Sequence, residues 1–267
     1  MMRPEDWPIR FSHAICRRPA ASAVSGLRAV DTGAPDIARL RADHAAYVAA
    51  LRATGATVEL LEAAEEFPDS LFVEDTALCL PEGAVILTPG APSRRGEAAL
   101  MAPALARFYG EVVQLPRGHV EGGDVLATGR EILVGLSARS DREGAEALGE
   151  IVARWGHELR VVETPPEVLH FKTACSLLAP NTMLSTAQLA ASGCFDGYET
   201  LLVPEGEEAA ANAIRFNDVV ILPAGFARTA EMLRDAGYRL VEIPNEQAAK
   251  LDGGMSCLSL RFTPPTP

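Results

Sequence analysis

Along this chain the apolar and polar positions repeat one order of elements. An apolar run of strand length leads through a turn into an amphipathic or Ala-rich stretch, then into a second apolar run that stops near a proline. Residues 84–88 (AVILT) read as a strand, 94–109 as a helix, and 111–115 as a strand before Pro116. Residues 131–136, 140–155 and 158–162 repeat the order before Pro165. So do 175–178, a short segment at 186–191, and 200–203 before Pro204, and again 219–222, 229–236 and 239–243 before Pro244. The first copy comprises 11–16, a helix over 36–53, and 57–61, with Pro68 beyond it. In that helix Ile37, Leu40, Tyr47, Val48 and Leu51 share one face; Asp36 stands where an N-cap belongs and Gly55 where a helix stops. In the third helix Ser140 or Asp141 caps and Gly156 terminates.

The closing prolines recur about every 40–50 residues, a period typical of stacked or radial units. Extra strands are expected at 72–80, 124–128, 168–171 and 256–261, so each unit reads strand, strand, helix, strand. Five such units, each needing a neighbour to cover its apolar face, close most economically as a ring lined by strand ends and loops. A three-layer α/β sandwich is the alternative. No low-complexity linker breaks the chain, so residues 1–267 are expected to form one domain.

Composition narrows the function. Apolar residues are 48% and charged residues 22%, and no apolar run approaches eighteen residues, so no membrane span is expected. The start, MMRPEDWPIRF, lacks an apolar core followed by small residues, so no secretory signal is expected. The formal net charge of −12 disfavours nucleic acid as a partner and suits a small cationic one. Five cysteines, at 16, 79, 175, 194 and 257, form no C-x-x-C pair; a disulfide framework or zinc site is not expected, and free thiols fit the reducing cytoplasm.

Several local sequences carry candidate chemistry. Cys257 follows Asp252, Gly253 and Gly254 in DGGMSC, where glycines let the backbone pass close to a ligand. A thiol nucleophile needs a proton carrier, and His170 in LHFKT is suited to neutral pH. Glu121 and Asp124 flank Gly-Gly in HVEGGDVL, and a carboxylate there would orient the imidazole. By default each of these is a buried thiol, a structural histidine or a solvated turn. In PDSLFVEDTA, Asp69, Glu74 and Asp75 surround Leu71, Phe72 and Val73; paired acids in apolar surroundings need a cation, and a planar guanidinium ligand would supply one. Arg94 and Arg139 follow apolar strands and suit a substrate carboxylate; their default is a surface position at a helix start, which the helix dipole disfavours. Acid cluster, arginine pair and Cys/His/carboxylate set together match a zwitterionic amino acid with a guanidinium side chain.

The chain resembles the dimethylarginine dimethylaminohydrolases, in the superfamily that also holds arginine deiminases and amidinotransferases. The resemblance runs from about Leu27 to Arg261 and rests on PDSLFVEDTA, PGAPSRRGE, EGGDVL, TGREILVGLSAR and HFKT in that order. It implies a five-bladed α/β propeller (pentein) of ββαβ blades and cleavage of methylated arginines to citrulline plus methylamines, with neither metal nor organic cofactor. Carried over motif by motif, Cys257 is the nucleophile, His170 the general acid/base and Glu121 its orienting carboxylate. Glu74 and Asp75 hold the guanidinium, Asp69 and Phe72 shape the pocket, and Arg94 and Arg139 take the α-carboxylate. Backbone carbonyls near Leu27 and Leu251 hold the α-amine. Arginine deiminases and amidinotransferases carry an acid two residues after the histidine, where this chain has Lys172; that loss leaves room for methyl groups. An arginine deiminase-like or other guanidine hydrolase is the nearest alternative. A zinc deaminase lacks its P-C-x-x-C element here, and a non-catalytic scaffold would have no use for the combined set. A homodimer is left open.

Overall fold

The computed structural model describes residues 6–265; residues 1–5 and 266–267 of the expected 1–267 span lie outside the described residues. The strands fall into five three-stranded sheets of one design. A short inner strand runs antiparallel to the middle strand, which runs parallel to the outer one. The sheets are Ala77–Cys79, Ala84–Ile86, Val112–Gln114; Val125–Ala127, Ile132–Leu136, Leu159–Glu163; Cys175–Ala179, Thr182–Ser185, Glu199–Leu202; Ile214–Phe216, Val219–Pro223, Leu240–Ile243; and Leu260–Phe262, His13–Arg17, Thr57–Leu61. In the last sheet the C-terminal strand pairs with the first, Ala14 opposite Arg261, so the ends of the chain complete one unit.

Helices connect the middle and outer strands, and each packs between its own sheet and the preceding one. Helix Ile37–Ala53 places Leu40, Tyr47, Val48 and Leu51 against Ala14 and Cys16 on one side and Phe216 and Ile221 on the other. Helix Arg142–Arg154 joins Leu148 and Val152 to Val134 and to Val85 and Leu87 of the sheet before it. The other three buried clusters repeat the pattern, and the circuit returns to its start where Met101 and Leu105 meet Ile15, Leu260 and Phe262. A lone unit would leave one face of its helix in water; burial of that face, worth about 25 cal/mol per Å², requires the neighbour. The caps are as expected. Asp36 accepts from the N–H groups of Ala38 and Arg39 at 2.9 and 3.1 Å, Asp141 accepts from Gly144 at 2.7 Å, and Gly55 and Gly156 end their helices at φ +90° and +84°.

Three expectations fail locally. The helix over 94–109 is broken into 3₁₀ turns Pro92–Arg94 and Ala98–Leu100 and the short helix Ala102–Leu105. Pro92 and Pro103 supply no N–H, and Arg94 is drawn inward by buried acids. Of the strand over 72–80 only Ala77–Cys79 forms; Val73–Thr76 is a 3₁₀ turn. Residues 168–171 form no strand, and the fourth-unit strands are Cys175–Ala179 and Thr182–Ser185, the latter unexpected, as is Ile214–Phe216. Short apolar runs cannot be ordered within a sheet by periodicity.

Those local departures expose a regularity that positions the site. Each inner strand is entered through a 3₁₀ turn: Val73–Thr76, Gly122–Asp124, Phe171–Thr173, Glu208–Ala211 and Ser256–Leu258. The turns pack against one another in sequence, and the last packs against the first. The Ser256 N–H donates to Asn212 Oδ1 at 2.9 Å, joining the fourth turn to the fifth.

Candidate active site

A small cavity opens among these turns. It is lined by Leu27, Asp69, Phe72, Asp75, Arg94, Arg139, Leu169, His170, Leu251, Asp252, Gly253 and Cys257. Nine of the eleven residues singled out in the sequence therefore share one cavity. Glu121 lies directly behind His170, its carboxylate 2.6 Å from Nε2. Glu74 does not face this cavity.

The thiol and the imidazole rest in opposite states. Burial pushes the Cys257 thiol up to about 12, and the negative charges of Glu74 and Asp75 push the same way; the Gly254 N–H, 3.4 Å from Sγ, and the more distant Lys172 oppose them only weakly. Burial alone would strip His170 of its proton. Asp75, the hydrogen bond to Glu121, and Asp124 outweigh it and raise the imidazole to about 9. Burial disfavours the Glu121 carboxylate, yet His170, Arg94 and Arg139 hold its pKa below the usual value. At neutral pH the cavity thus holds a neutral thiol and an imidazolium whose Nε2 is tied to Glu121.

Two glycines make this approach feasible. A Cβ at Gly123 would lie 2.9 Å from His170 Cγ and 3.0 Å from Asp75 Oδ1, and a Cβ at Gly122 would collide with the Glu74 carbonyl. Instead the Gly123 N–H donates to Asp75 Oδ1 at 2.8 Å. Asp124, fully buried, accepts from the Phe171 N–H at 2.8 Å and from the hydroxyls of Ser137 and Ser140 at 2.7 and 2.6 Å. It braces the His170 turn against the loop that carries Arg139, a role that the spacing of EGGD does not reveal.

The two arginines differ. Arg94 is buried and most of its donors are engaged: Nη1 with Asp75 Oδ2 at 2.5 Å, Nε and Nη2 with Glu97, and Nη2 with the Phe72 carbonyl at 3.0 Å. This is an internal ion-pair hub that also lines the cavity beside Arg139. Glu97, three residues after Arg94 in SRRGE, was not singled out in the sequence. Arg139 is partly exposed and makes one long contact, Nη1 to Glu121 at 3.5 Å, which leaves donors for an incoming carboxylate. At the other end of the cavity the Leu27 N–H donates to Asp69 Oδ1 at 2.9 Å.

Glu74 turns to a second cavity on the opposite side, lined by Lys172, Ser256 and Arg261 among the inner strands and by Trp7, Pro8 and Phe11. Its carboxylate takes Lys172 Nζ at 2.6 Å, Arg261 Nη2 at 2.6 Å and the Ser256 hydroxyl at 2.7 Å. Burial disfavours that carboxylate, but the two cations hold it below the usual value. The cation that the paired acids demand is thus internal, Arg94 for Asp75 and Lys172 with Arg261 for Glu74. The placement does not fit the expected sharing of a substrate guanidinium by both acids. Asp75, Glu121 and His170 also bring potential ligand atoms within 4.8 Å of one another, a geometry open to a metal ion, though Glu121 and His170 are already bonded to each other and Asp75 to Arg94.

Comparison with known proteins identifies the family. The arginine deiminase family model matches residues 63–220. N(G),N(G)-dimethylarginine dimethylaminohydrolase of Pseudomonas aeruginosa is 41% identical over 254 residues, covering 94% of this chain and all of that protein. The protein of that name in Streptomyces coelicolor is 34% identical over 261 residues, covering 93% and 96%. The structure of the Pseudomonas enzyme as a cysteine-to-serine mutant complexed with citrulline superposes with a TM-score of 0.92 at 40% identity, covering 95% of this chain and 100% of that one. The N-terminal domain of ArgZ, a cyanobacterial arginine dihydrolase, shares the fold at a TM-score of 0.82 and 20% identity, covering 95% and 98%. With a family model over more than half its length and two such relatives matched nearly end to end, this chain belongs to the dimethylarginine dimethylaminohydrolases of the arginine deiminase family.

Proposed function

We propose that this chain hydrolyses Nω-methylated arginines to citrulline and methylamine or dimethylamine through a covalent intermediate on Cys257. The observation that carries the proposal is the shared cavity: a thiol, an imidazolium, one outward-facing guanidinium binder in Asp75, and a free-handed Arg139 all line it. The substrate guanidinium settles against Asp75, and its positive charge lowers the thiol pKa, so Cys257 loses its proton as the complex forms. The thiolate attacks the guanidinium carbon and forms a C–S bond. His170 gives its proton to the departing amine as the C–N bond breaks, leaving a thiouronium. Neutral His170 then takes a proton from water, the hydroxide adds to the same carbon, and loss of the thiolate releases citrulline. Glu121 holds the imidazole through Nε2, which leaves Nδ1 for proton transfer. Arg139 takes the α-carboxylate, and Asp69 with the backbone at Leu27 and Leu251 takes the α-amine.

The five like sheets, the cyclic sharing of helices and the pairing of first and last strands support a five-bladed α/β propeller spanning the chain as one catalytic domain. Among the described residues no helix is long and apolar enough to cross a membrane, and the five cysteines are free; both accord with a cytoplasmic enzyme.

Arginine itself is the second reading, favoured by the family model. Lys172 weighs against it. Where arginine deiminases are expected to carry an acid, this chain has an ammonium turned to Glu74 in the rear cavity. One acid of the adjacent pair then faces the substrate, with room for methyl groups. Incubation with asymmetric dimethylarginine, symmetric dimethylarginine, monomethylarginine and arginine, with citrulline and each amine quantified, tests the proposal. The expected result is citrulline with stoichiometric dimethylamine or methylamine. Ammonia from arginine with no amine from the methylated forms would overturn it.

A further inference from the structure

The front and rear cavities share one wall, and Glu74 is its centre. The three groups that define its role come from three separate catalytic turns. Glu74 immediately precedes Asp75, Ser256 immediately precedes Cys257, and Lys172 stands two residues after His170. In each turn the catalytic side chain faces the front cavity while its neighbour faces the rear. Behind them Arg261 completes the wall. Its Nη2 holds Glu74, and its Nη1 holds the Ser256 carbonyl at 2.8 Å and the Ser259 carbonyl at 2.9 Å. The Ser259 hydroxyl meets the buried Tyr47 hydroxyl at 2.7 Å, which anchors the group to the first helix. Glu74 is 3% exposed, and its three donors use most of a carboxylate's acceptor capacity.

We propose that Glu74 is a positioning residue: it ties the turns bearing Asp75, His170 and Cys257 into one register, with Lys172 and Ser256 as its holds on two of them. The inference rests on the reading of the front cavity as the catalytic one. It replaces the role expected for Glu74 as a hand on the substrate guanidinium. Register matters because attack requires the thiolate within about 3–3.5 Å of a carbon held by Asp75, and a 1 Å misplacement costs on the order of a hundredfold. The apolar side chains Trp7 and Phe11, with Pro8, line the rear cavity, and this apolar lining lowers the local dielectric around the ion pairs, so each bond holds more tightly than it would in water.

The test uses the full chain with Ser256→Ala, Ser256→Thr, Lys172→Met and Glu74→Gln. Ser256→Ala removes one hydroxyl and strands no buried charge, so it keeps the proposal testable if Glu74→Gln fails to fold. Two readouts are combined. The first is kcat against KM with a methylated arginine. The second is alkylation of Cys257, followed by peptide mass, with 2-chloroacetamidine and with 2-chloroacetamide. These share a leaving group, but only the first carries the cation that Asp75 holds beside the thiol. Their rate ratio therefore reads the Asp75–Cys257 register and requires no knowledge of the substrate.

In Ser256→Ala and Lys172→Met, kcat is expected to fall about tenfold or more with KM within about twofold, and the amidine-to-amide ratio to shrink by a similar factor. Ser256→Thr, which keeps the hydroxyl, is expected to restore both. A rise in KM with kcat and the ratio unchanged would place Glu74 on the substrate and overturn the proposal. So would lowered thermal stability with wild-type kcat and ratio, which is the mark of a purely structural bond. If the wild-type chain releases no citrulline from methylated arginines yet the ratio still responds to Ser256→Ala, the substrate reading fails and the positioning role stands.

Discussion

The front and rear cavities share three turns, those that carry Asp75, His170 and Cys257, and both are lined by buried acids and bases, yet only one is poised for chemistry. At the rear, Glu74 meets Lys172, Arg261 and Ser256 at 2.6–2.7 Å, and its charge is answered within the protein. At the front, the thiol is protonated, the imidazole is charged, and Arg139 has one long contact at 3.5 Å. On the proposed reading, a substrate cation beside Asp75 lowers the thiol pKa and a substrate carboxylate occupies Arg139. Saturation makes the rear a scaffold; unmet electrostatic demand makes the front a site.

The sharpest break of this comparison is Cys257→Ser. It is expected to lower kcat by at least about a thousandfold while calorimetry still detects substrate binding; substantial residual turnover would remove Cys257 from its role. Next come the two arginines. Arg94→Met strands Asp75 and Glu97 without their cation and is expected to cost about 3–5 kcal/mol in denaturant unfolding. Arg139→Met is expected to raise KM about 10- to 100-fold, the worth of a charge-assisted pair, with stability nearly unchanged. If Arg94→Met instead gave a stable protein with raised KM, the division between hub and substrate ligand would be wrong.

The pH profile comes next in size. His170 sits above its ordinary value, at about 9, so the acid form that the leaving amine needs is present through neutrality and is lost as pH rises through that value. The expected kcat, read at saturating substrate where the thiol has already lost its proton, is flat near pH 7–8 and falls roughly tenfold per unit on the far alkaline side; a fall centred near 6.5 would mean that Glu121 and Asp75 do not hold the proton. The smallest effect lies far from both cavities. Asp36→Ala removes an N-cap and is expected to cost about 1 kcal/mol of thermal stability with kcat and KM unchanged.

Much of this was legible from residues alone. The helix over 36–53 and its cap were, because a seventeen-residue amphipathic stretch with Asp and Gly at its ends has few other solutions. The convergence of Cys257, His170, Asp75 and Arg139 was legible through motif resemblance; the first three lie at turns that enter inner strands, and Arg139 follows the middle strand Ile132–Leu136. The break at 94–109 was not. Helix propensity there loses to two prolines and to the pull of Asp75 and Glu97 on Arg94. Arg261 was not singled out as a functional support, because an arginine in a terminal strand looks like a surface residue until its partners are known.

Taken by itself, the sequence determined the repeating order of elements, the helix caps, the family motifs and the chemical types gathered for a cationic amino acid. The tertiary structure alone decided which of two adjacent acids lines the front cavity. In a 3₁₀ turn, successive side chains diverge by about 120°, so Glu74 and Asp75 had to face different ways. Which way each faced depended on partners 98 and 182 residues along the chain, Lys172 and Ser256, brought to Glu74 only when the five units packed together.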